Sequence, residues 1–493
     1  MEEKIKQAIE NIAKNLEVYK EYIRFDNAEQ IYIIEDCLDN KLIEIKKDIK
    51  FDNLIDYPLK FSYCDFLETV IGQNKTFKEK IIFEKVVFCK VVNFSFSIFD
   101  KNINFSNVKF EDELYFEKCQ FKEKVEFFGI DNLKAEFNNN LFEKEVYFGK
   151  EINDKNVEKS NNFGSCGFEY VNFSNCHFQN EVYFKNNDFK QVIFRNSKFN
   201  DNVYFNNSHF KDYVDFCECE FDNIACFYGV IFDKTPNFSQ AIFKGKLNAV
   251  NTNLNFTFCD LHEKIKQEYD FYESQRIAKE AGVIPNLYQE KSLDKFANDF
   301  RDSFRNFKSA LIKDNNLLDA SNFHKYELYC KEIELKNKKD KTLKDRIDKW
   351  QLVFYHKLCD HHTDLLLNLK WLVVLIGSFA LLYFTSCVIQ DINLLKVLNQ
   401  YGVCLSIIGV FSLFCLYWFE CIKKFDFFVY FNLIAVLWVV CYKPKIIFGI
   451  VNLIGDNSCN GFENALITIY TILLALVLFS LQKTARKNSI VPS

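Results

Sequence analysis

One methionine and 14 glycines are scarce for a chain of 493 residues, and 56 phenylalanines stand out against them. A bias that strong usually has a periodic cause. Excess charge of either sign is also missing. A net charge of −5 over the whole chain gives a nucleic-acid backbone little to grip, so no nucleic-acid partner is expected. The chain opens Met1-Glu2-Glu3-Lys4 with no apolar segment, so no cleaved export signal is expected. The 18 cysteines contain no paired CxxC, which excludes the common zinc frameworks. They read as small, reduced apolar fillers on the cytosolic side of a membrane. No phosphate loop, triad motif or paired metal signature is present, so neither catalytic residues nor a cofactor is expected and the chain reads as a non-enzyme. Long apolar runs are absent before Leu365 and dominate after it.

What fills the first half is a ladder. Phe77, Phe83, Phe88, Phe94, Phe99, Phe105, Phe110, Phe116, Phe121 and Phe127 follow one another in steps of six and five, and the ladder resumes from Phe178 to Phe243. A second column stands two residues before each Phe. After a six-step it is branched or long (Ile81, Val92, Ile103, Leu114, Val125, Val182, Val203, Val214). After a five-step it is often small (Ser97, Cys119, Cys176, Ser197, Ser208, Cys219, Ala241). An amphipathic helix needs apolar spacings of three and four, and a plain strand needs strict alternation. Residues i−2 and i share a face only in extended backbone, so each pair predicts a very short strand. The Asn, Asp, Ser and Lys between pairs suit corners, where Asn and Asp tolerate left-handed backbone. One repeat cannot bury its own face, but stacked coils can.

These residues resemble the pentapeptide-repeat family, in which a large apolar residue follows a small one by two positions. Ser174-Asn175-Cys176-His177-Phe178 and Asn206-Asn207-Ser208-His209-Phe210 carry the pattern, with Phe in place of the commoner Leu, and the six-steps match a divergent branch. The resemblance covers 61–254. It implies a right-handed quadrilateral β-helix followed by α-helical hairpins and an α-helical transmembrane region. Four sides take 22 residues, so Phe77 to Phe243 makes roughly seven coils and a rod on the order of 35 Å. Two interruptions, between Phe127 and Phe142 and at Glu151-Ile152-Asn153-Asp154-Lys155-Asn156, read as surface loops, the second with partner binding as its functional alternative. Some soluble relatives mimic DNA, but 22 basic against 27 acidic residues between Phe77 and Asp260 imitate a duplex poorly.

Residues 2–23 carry Ile5, Ile9, Ile12 and Leu16 at helical spacing and predict a solenoid cap. Helical periodicity returns after His262, broken at Gly282 and Pro285. There Phe296, Phe300, Phe304, Phe307 and Leu311 form one stripe, read as core, and a further helix is expected over 317–327. His356, Cys359, Asp360, His361 and His362 gather within seven residues. On a helix His356 and Asp360 share a face, so His356, Asp360, His361 and His362 are the candidate metal ligands, against a polar segment flanking a membrane helix.

Spans of about 20 apolar residues cross a bilayer. Four candidates are 371–390, 402–419, 427–442 and 465–481, with a shorter apolar stretch at 446–454 that lies at the interface or re-enters. Lys370, Lys423, Lys424, Lys483, Arg486 and Lys487 fall on one side if both termini are cytoplasmic, while Lys443 and Lys445 do not. No ionisable residue lies at the centre of a span, and Ile454-Gly455-Asp456 is too little for a potassium filter. The expected organisation is a cap (1–50), a solenoid (51–260), a cytoplasmic helical connector (261–365) and a membrane domain (366–493). The expected function is a membrane-anchored, non-catalytic scaffold on the cytoplasmic face of a bacterial inner membrane. Its partners are the lipid bilayer and an unidentified protein. The alternative is a pore or transporter regulated by the solenoid.

Overall fold

A computed structural model describes residues 2–36, 42–149, 165–252, 256–280, 291–313, 316–390, 399–442, 447 and 461–486. The chain forms two compact units, Met1–Asn316 with Tyr329–Lys338, and Leu317–Leu328 with Lys339–Ser493.

In the first unit most inward pairs become strands of two to four residues, and the 22-residue period sets the register. Ile81 and Phe83 pair with Ile103 and Phe105, which pair with Val125 and Phe127. Parallel sheets line the four sides of a β-solenoid of about nine coils. The strand Gly167–Asn172 turns a corner, pairing through Phe168 with Phe189 and through Val171 with Val192. Pairing also reaches back beyond the Phe ladder, to Ile43–Ile45 and Ile49–Lys50. There Ile45 takes a Phe position, paired with Phe66, and Ile49 takes the branched position, paired with Val70. Phe51 is the one buried Phe beside Leu54, so the first coil shows no Phe period.

Backbone pairing dictates the ring stacking. Strands in a sheet lie about 4.8 Å apart, and Phe83, Phe105, Phe127, Phe148, Phe184 and Phe205 stack with centroids 4.8 to 5.1 Å apart. Neither interruption breaks the columns. Leu133 takes the missing Phe position, fully buried and paired with Phe168. Glu151 to Asn156 lie outside the described residues, and across them Phe148 still stacks on Phe184 at 5.0 Å.

Two opposite corners run in the left-handed region, two residues after a ladder Phe. Asn107, Asn186 and Asn207 mark one, and Asn139, Asn175 and Asn196 the other, with φ between 52° and 60°. Asparagine tolerates this backbone because its short amide bonds locally; Asn196 Nδ2 donates to Asn175 Oδ1 one coil away (2.8 Å). Gly229 takes the same corner (φ 66°), where a Cβ would sit 2.4 Å from Asn207 Oδ1.

The small column is more than filler, which corrects the reading of its cysteines. Ser197 Oγ and Ser208 Oγ donate to the carbonyls of Phe173 and Phe184, both at 2.5 Å. The thiols of Cys119, Cys176 and Cys219 donate in the same way to Phe94, Phe137 and Phe194, at 3.2, 2.8 and 2.9 Å. Serine and cysteine share the slot because each is small and brings a donor to a carbonyl that turns inward. Burial pushes the Cys119 and Cys176 thiols up to about 12, so they stay protonated.

Both ends of the solenoid are covered. The amphipathic helix is Glu2–Leu16, shorter than its apolar spacing suggested, because Glu17 turns left-handed (φ 55°). The chain then forms the antiparallel pair Ile23–Asp26 and Ile31–Ile34, and the second strand joins the solenoid at Leu59–Ser62. At the far end the Phe stripe of helix Leu293–Lys313 covers the last coil. Phe307 meets Phe238 and Phe243 edge-on at 4.8 and 5.0 Å, and Ser303 Oγ donates to the carbonyl of Phe238. Gly282 and Pro285 lie outside the described residues.

Among the described residues of the second unit, four helices are long and apolar enough to cross a membrane: Leu365–Gln390, Gln400–Trp418, Lys424–Cys441 and Gly461–Ala485. The first packs on the third and fourth. Sparse polar pins join them: Ser378 Oγ donates to Asn432 Oδ1 (3.0 Å), Trp438 Nε1 to Ser406 Oγ (2.7 Å), and Lys370 pairs with Asp426 (2.6 Å). Gly377 is required where the first and third helices touch, since a Cβ there would lie 2.5 Å from the Asn432 carbonyl oxygen. Of the stretch 446–454, only residue 447 is described.

Candidate functional site

Three of the predicted ligands sit in an unusual turn. Helix Leu343–Cys359 starts at a capping box, in which Thr342 and Asp345 satisfy each other's backbone N–H. It ends in three successive left-handed residues, Asp360, His361 and His362, with φ 48°, 54° and 70°. Left-handed backbone costs roughly 1–2 kcal/mol per L-residue, and such runs persist only where surrounding bonds hold them. Here Asp360 N–H donates to His356 O (3.0 Å), His361 N–H to Tyr355 O (3.2 Å) and Asp364 N–H to Cys359 O (3.0 Å).

The turn sends the candidate ligands in different directions. His361 is buried and stacks on His356, ring centroids 5.5 Å apart. The Asp360 carboxylate accepts from Lys325 Nζ (3.3 Å) and Thr363 Oγ1 (3.2 Å). His362 Nδ1 instead faces Cys359 Sγ (3.5 Å), Ser480 Oγ (3.3 Å) and Thr484 Oγ1 (3.5 Å), and Asn368 Nδ2 donates to Ser480 Oγ (2.9 Å). His356 and His361 are thus the pair of imidazoles brought together. Ser480, Thr484 and Asn368 could not be linked to His362 from the sequence, which separates them by up to 122 positions.

The Cys359–His362 contact has the elements of a nucleophilic pair but the wrong charge states. Burial pushes the Cys359 thiol up, and burial together with Lys483 lowers His362 to about 4. A neutral thiol beside a neutral imidazole is a structural hydrogen bond, whereas a reactive cysteine needs the thiolate. His361 is lowered to about 3 by burial and by His356. Unfolded histidines protonate near pH 6.5, so between pH 6.5 and roughly 3–4 protons bind the unfolded turn and not the folded one. Its stability is therefore full above pH 6.5 and lost as pH falls through that window. Hydrogen exchange of residues 355–364 should accelerate from pH 6.5 to 4, after correction for intrinsic rates, and His362→Gln should flatten the response.

A second candidate lies on the outer face of the solenoid. Tyr147, Tyr183 and Tyr204 pair in register and stack at 4.7 and 5.0 Å, half-buried. Lys185 Nζ lies over Tyr183 and Tyr204 (5.2 and 4.9 Å), and Glu181 accepts from both hydroxyls. The signal was present in the sequence as three Val-Tyr-Phe triplets at 146–148, 182–184 and 203–205, the Tyr falling on the outward position between two inward ones.

The third cluster is a buried ionic clasp. Asp215 Oδ2 accepts from Arg195 (2.6 Å) and Tyr213 (3.1 Å), and Oδ1 from Cys217 N–H (2.8 Å) and Asn237 Nδ2 (3.0 Å). From helix Phe258–Glu280, Glu268 accepts from Tyr213 (3.0 Å) and Lys264 (3.0 Å), and Lys264 Nζ lies 3.8 Å from the Tyr213 ring centroid. Burial pushes the Asp215 carboxyl up, against the pull of the Arg195 guanidinium. Two acids and two bases balance, so the cluster docks the first post-solenoid helix onto the solenoid wall.

Comparison with known families matches residues 173–217 to pentapeptide repeats (9 copies). Comparison with curated proteins and with solved structures returns no match.

Proposed function

We propose that this chain, whose solenoid belongs to the pentapeptide-repeat family, is a non-catalytic scaffold that presents a protein-docking face while apolar helices of the same chain hold it in a membrane. The observation that carries the reading is the Tyr147–Tyr183–Tyr204 ladder. Tyrosine is enriched where proteins meet, because it offers large contact area at low entropic cost and keeps a polar tip. Pinning by Glu181 and Lys185 orders the rings in advance, which lowers that cost further. Replacing Tyr183 and Tyr204 together by Ala should weaken partner capture by about 30-fold or more, as loss of a binding hot spot does. The check is quantitative cross-linking and pull-down with detergent-solubilised full-length protein. An unchanged capture profile from a variant with native circular dichroism sinks the docking face.

The membrane is read as a bacterial inner membrane, with the solenoid and both termini on the cytoplasmic side. Lys370, Lys423, Lys424, Lys483 and Arg486 support this orientation, since basic residues flanking spans favour the cytoplasm. A reporter fused after Asn399 should signal the periplasm and one after Ser493 the cytosol. The same signal at both positions breaks the four-span arrangement.

A further inference from the structure

Helix Leu343–Cys359 carries an apolar stripe that its own unit leaves uncovered. Leu343, Ile347 and Trp350 are 78%, 64% and 67% exposed. Phe354 continues the line, stacking on Trp350 at 5.6 Å and packing against the cluster of Leu358, Cys359 and Val477. At about 100° per residue, these four positions fall within roughly 60° of arc. Lys344, Arg346 and Lys357 flank the stripe within about 100° of its centre, while Asp345 and Asp348 lie on the opposite face. Exposed large apolar side chains bordered by cations and backed by acids are the pattern of a helix lying in a membrane interface.

The surroundings agree with that occupant. The left-handed residues Asp360, His361 and His362 separate this helix from the first span, so the two do not run on as one continuous rod. Trp371 Nε1 of that span donates to the Lys357 carbonyl (2.8 Å), which ties the end of the helix to the span, whose own Leu365 and Leu366 are exposed. Exposed apolar side chains are thus carried both by the helix and by the start of the span it is tied to. We infer that Leu343–Cys359 lies in the headgroup layer, with Leu343, Ile347 and Trp350 inserted among acyl chains and Lys344, Arg346 and Lys357 reaching anionic lipid headgroups. Basic residues near an anionic surface are attracted to it, so the contact depends on lipid charge and on salt.

The inference rests on the membrane reading, and a single experiment separates the two. Full-length protein is placed one copy per disc in nanodiscs of phosphatidylcholine, with or without phosphatidylglycerol. Incorporation into discs tests the membrane reading alone. Hydroxyl-radical footprinting read by mass spectrometry then reports Trp350 individually, and a headgroup-proximal photoreactive phospholipid reports contact with 343–354. Expected are a several-fold loss of Trp350 oxidation in discs containing phosphatidylglycerol, labelling of 343–354 by the lipid probe, and weakening of both in K344E/R346E or at high salt. Oxidation of Trp350 at the rate of an unfolded peptide in both disc types overturns the inference. Protection without lipid labelling also overturns it, since a protein then covers the stripe. An unchanged footprint at the ends of the other spans shows that K344E/R346E has kept its fold.

Discussion

Phe194→Ala will cost about 3–5 kcal/mol of solenoid stability, and Phe205→Ala about the same, the usual range for truncating a buried aromatic. Both rings are fully buried. Phe194 is stacked between Phe173 and Phe216 at 5.2 and 5.0 Å, and meets Phe184 and Phe205 edge-on at 5.4 and 5.6 Å. Truncation removes two stacked and two edge contacts at once. Both neighbouring coils are held in register by their own strands, so the cavity cannot collapse. In a solenoid the loss falls on one coil and its neighbours. Hydrogen exchange should therefore show coils around 173–238 opening first, with a lower thermal midpoint. A loss below about 1 kcal/mol at both positions would mean these rings do not form the core.

The second large effect is expected at Asp215. Asp215→Ala removes the acceptor of four donors and leaves Arg195 facing Glu268 alone across 3.4 Å. Breaking a buried ion pair from one side costs about 3–5 kcal/mol, because the remaining partner stays desolvated. The low end of that range is expected, since the Arg195 side chain is 38% exposed and can rehydrate. Asp215→Asn should cost less, keeping an acceptor for Cys217 N–H or Arg195. The distinctive readout is local: amides of Phe258–Glu280 should lose protection before those of the ladder strands. Equal loss across the whole unit would show that Asp215 supports the solenoid itself rather than the docked helix.

Much of this architecture was legible because it repeats. The paired columns at i−2 and i recur over many coils, so Phe83, Phe105 and Phe127 announce inward positions without any knowledge of their neighbours. The four apolar helices were legible because a bilayer demands length and composition, which are local properties. The first coil was less legible, since Ile45 stands where later coils carry Phe and a single Phe, Phe51, makes no period. The role of the Ser and Cys column was only half legible: its smallness was plain, but the bonds from Ser208 to Phe184 and from Cys176 to Phe137 appear only when coils are stacked.

Sequence alone determined the coil, the corners and the apolar helices, because period and hydrophobicity act through nearest neighbours along the chain or one coil away. Tertiary structure alone decided the rest. The clasp joins Arg195, Tyr213 and Asp215 to Lys264 and Glu268, single residues that no period marks. The cap sets Phe307 on Phe243, and the turn at Asp360, His361 and His362 parts the predicted ligands between Lys325 on one side and Ser480 and Thr484 on the other. Each is a meeting of unrepeated side chains across long stretches of sequence, fixed by burial, charge balance and hydrogen-bond geometry that exist only once the chain has folded.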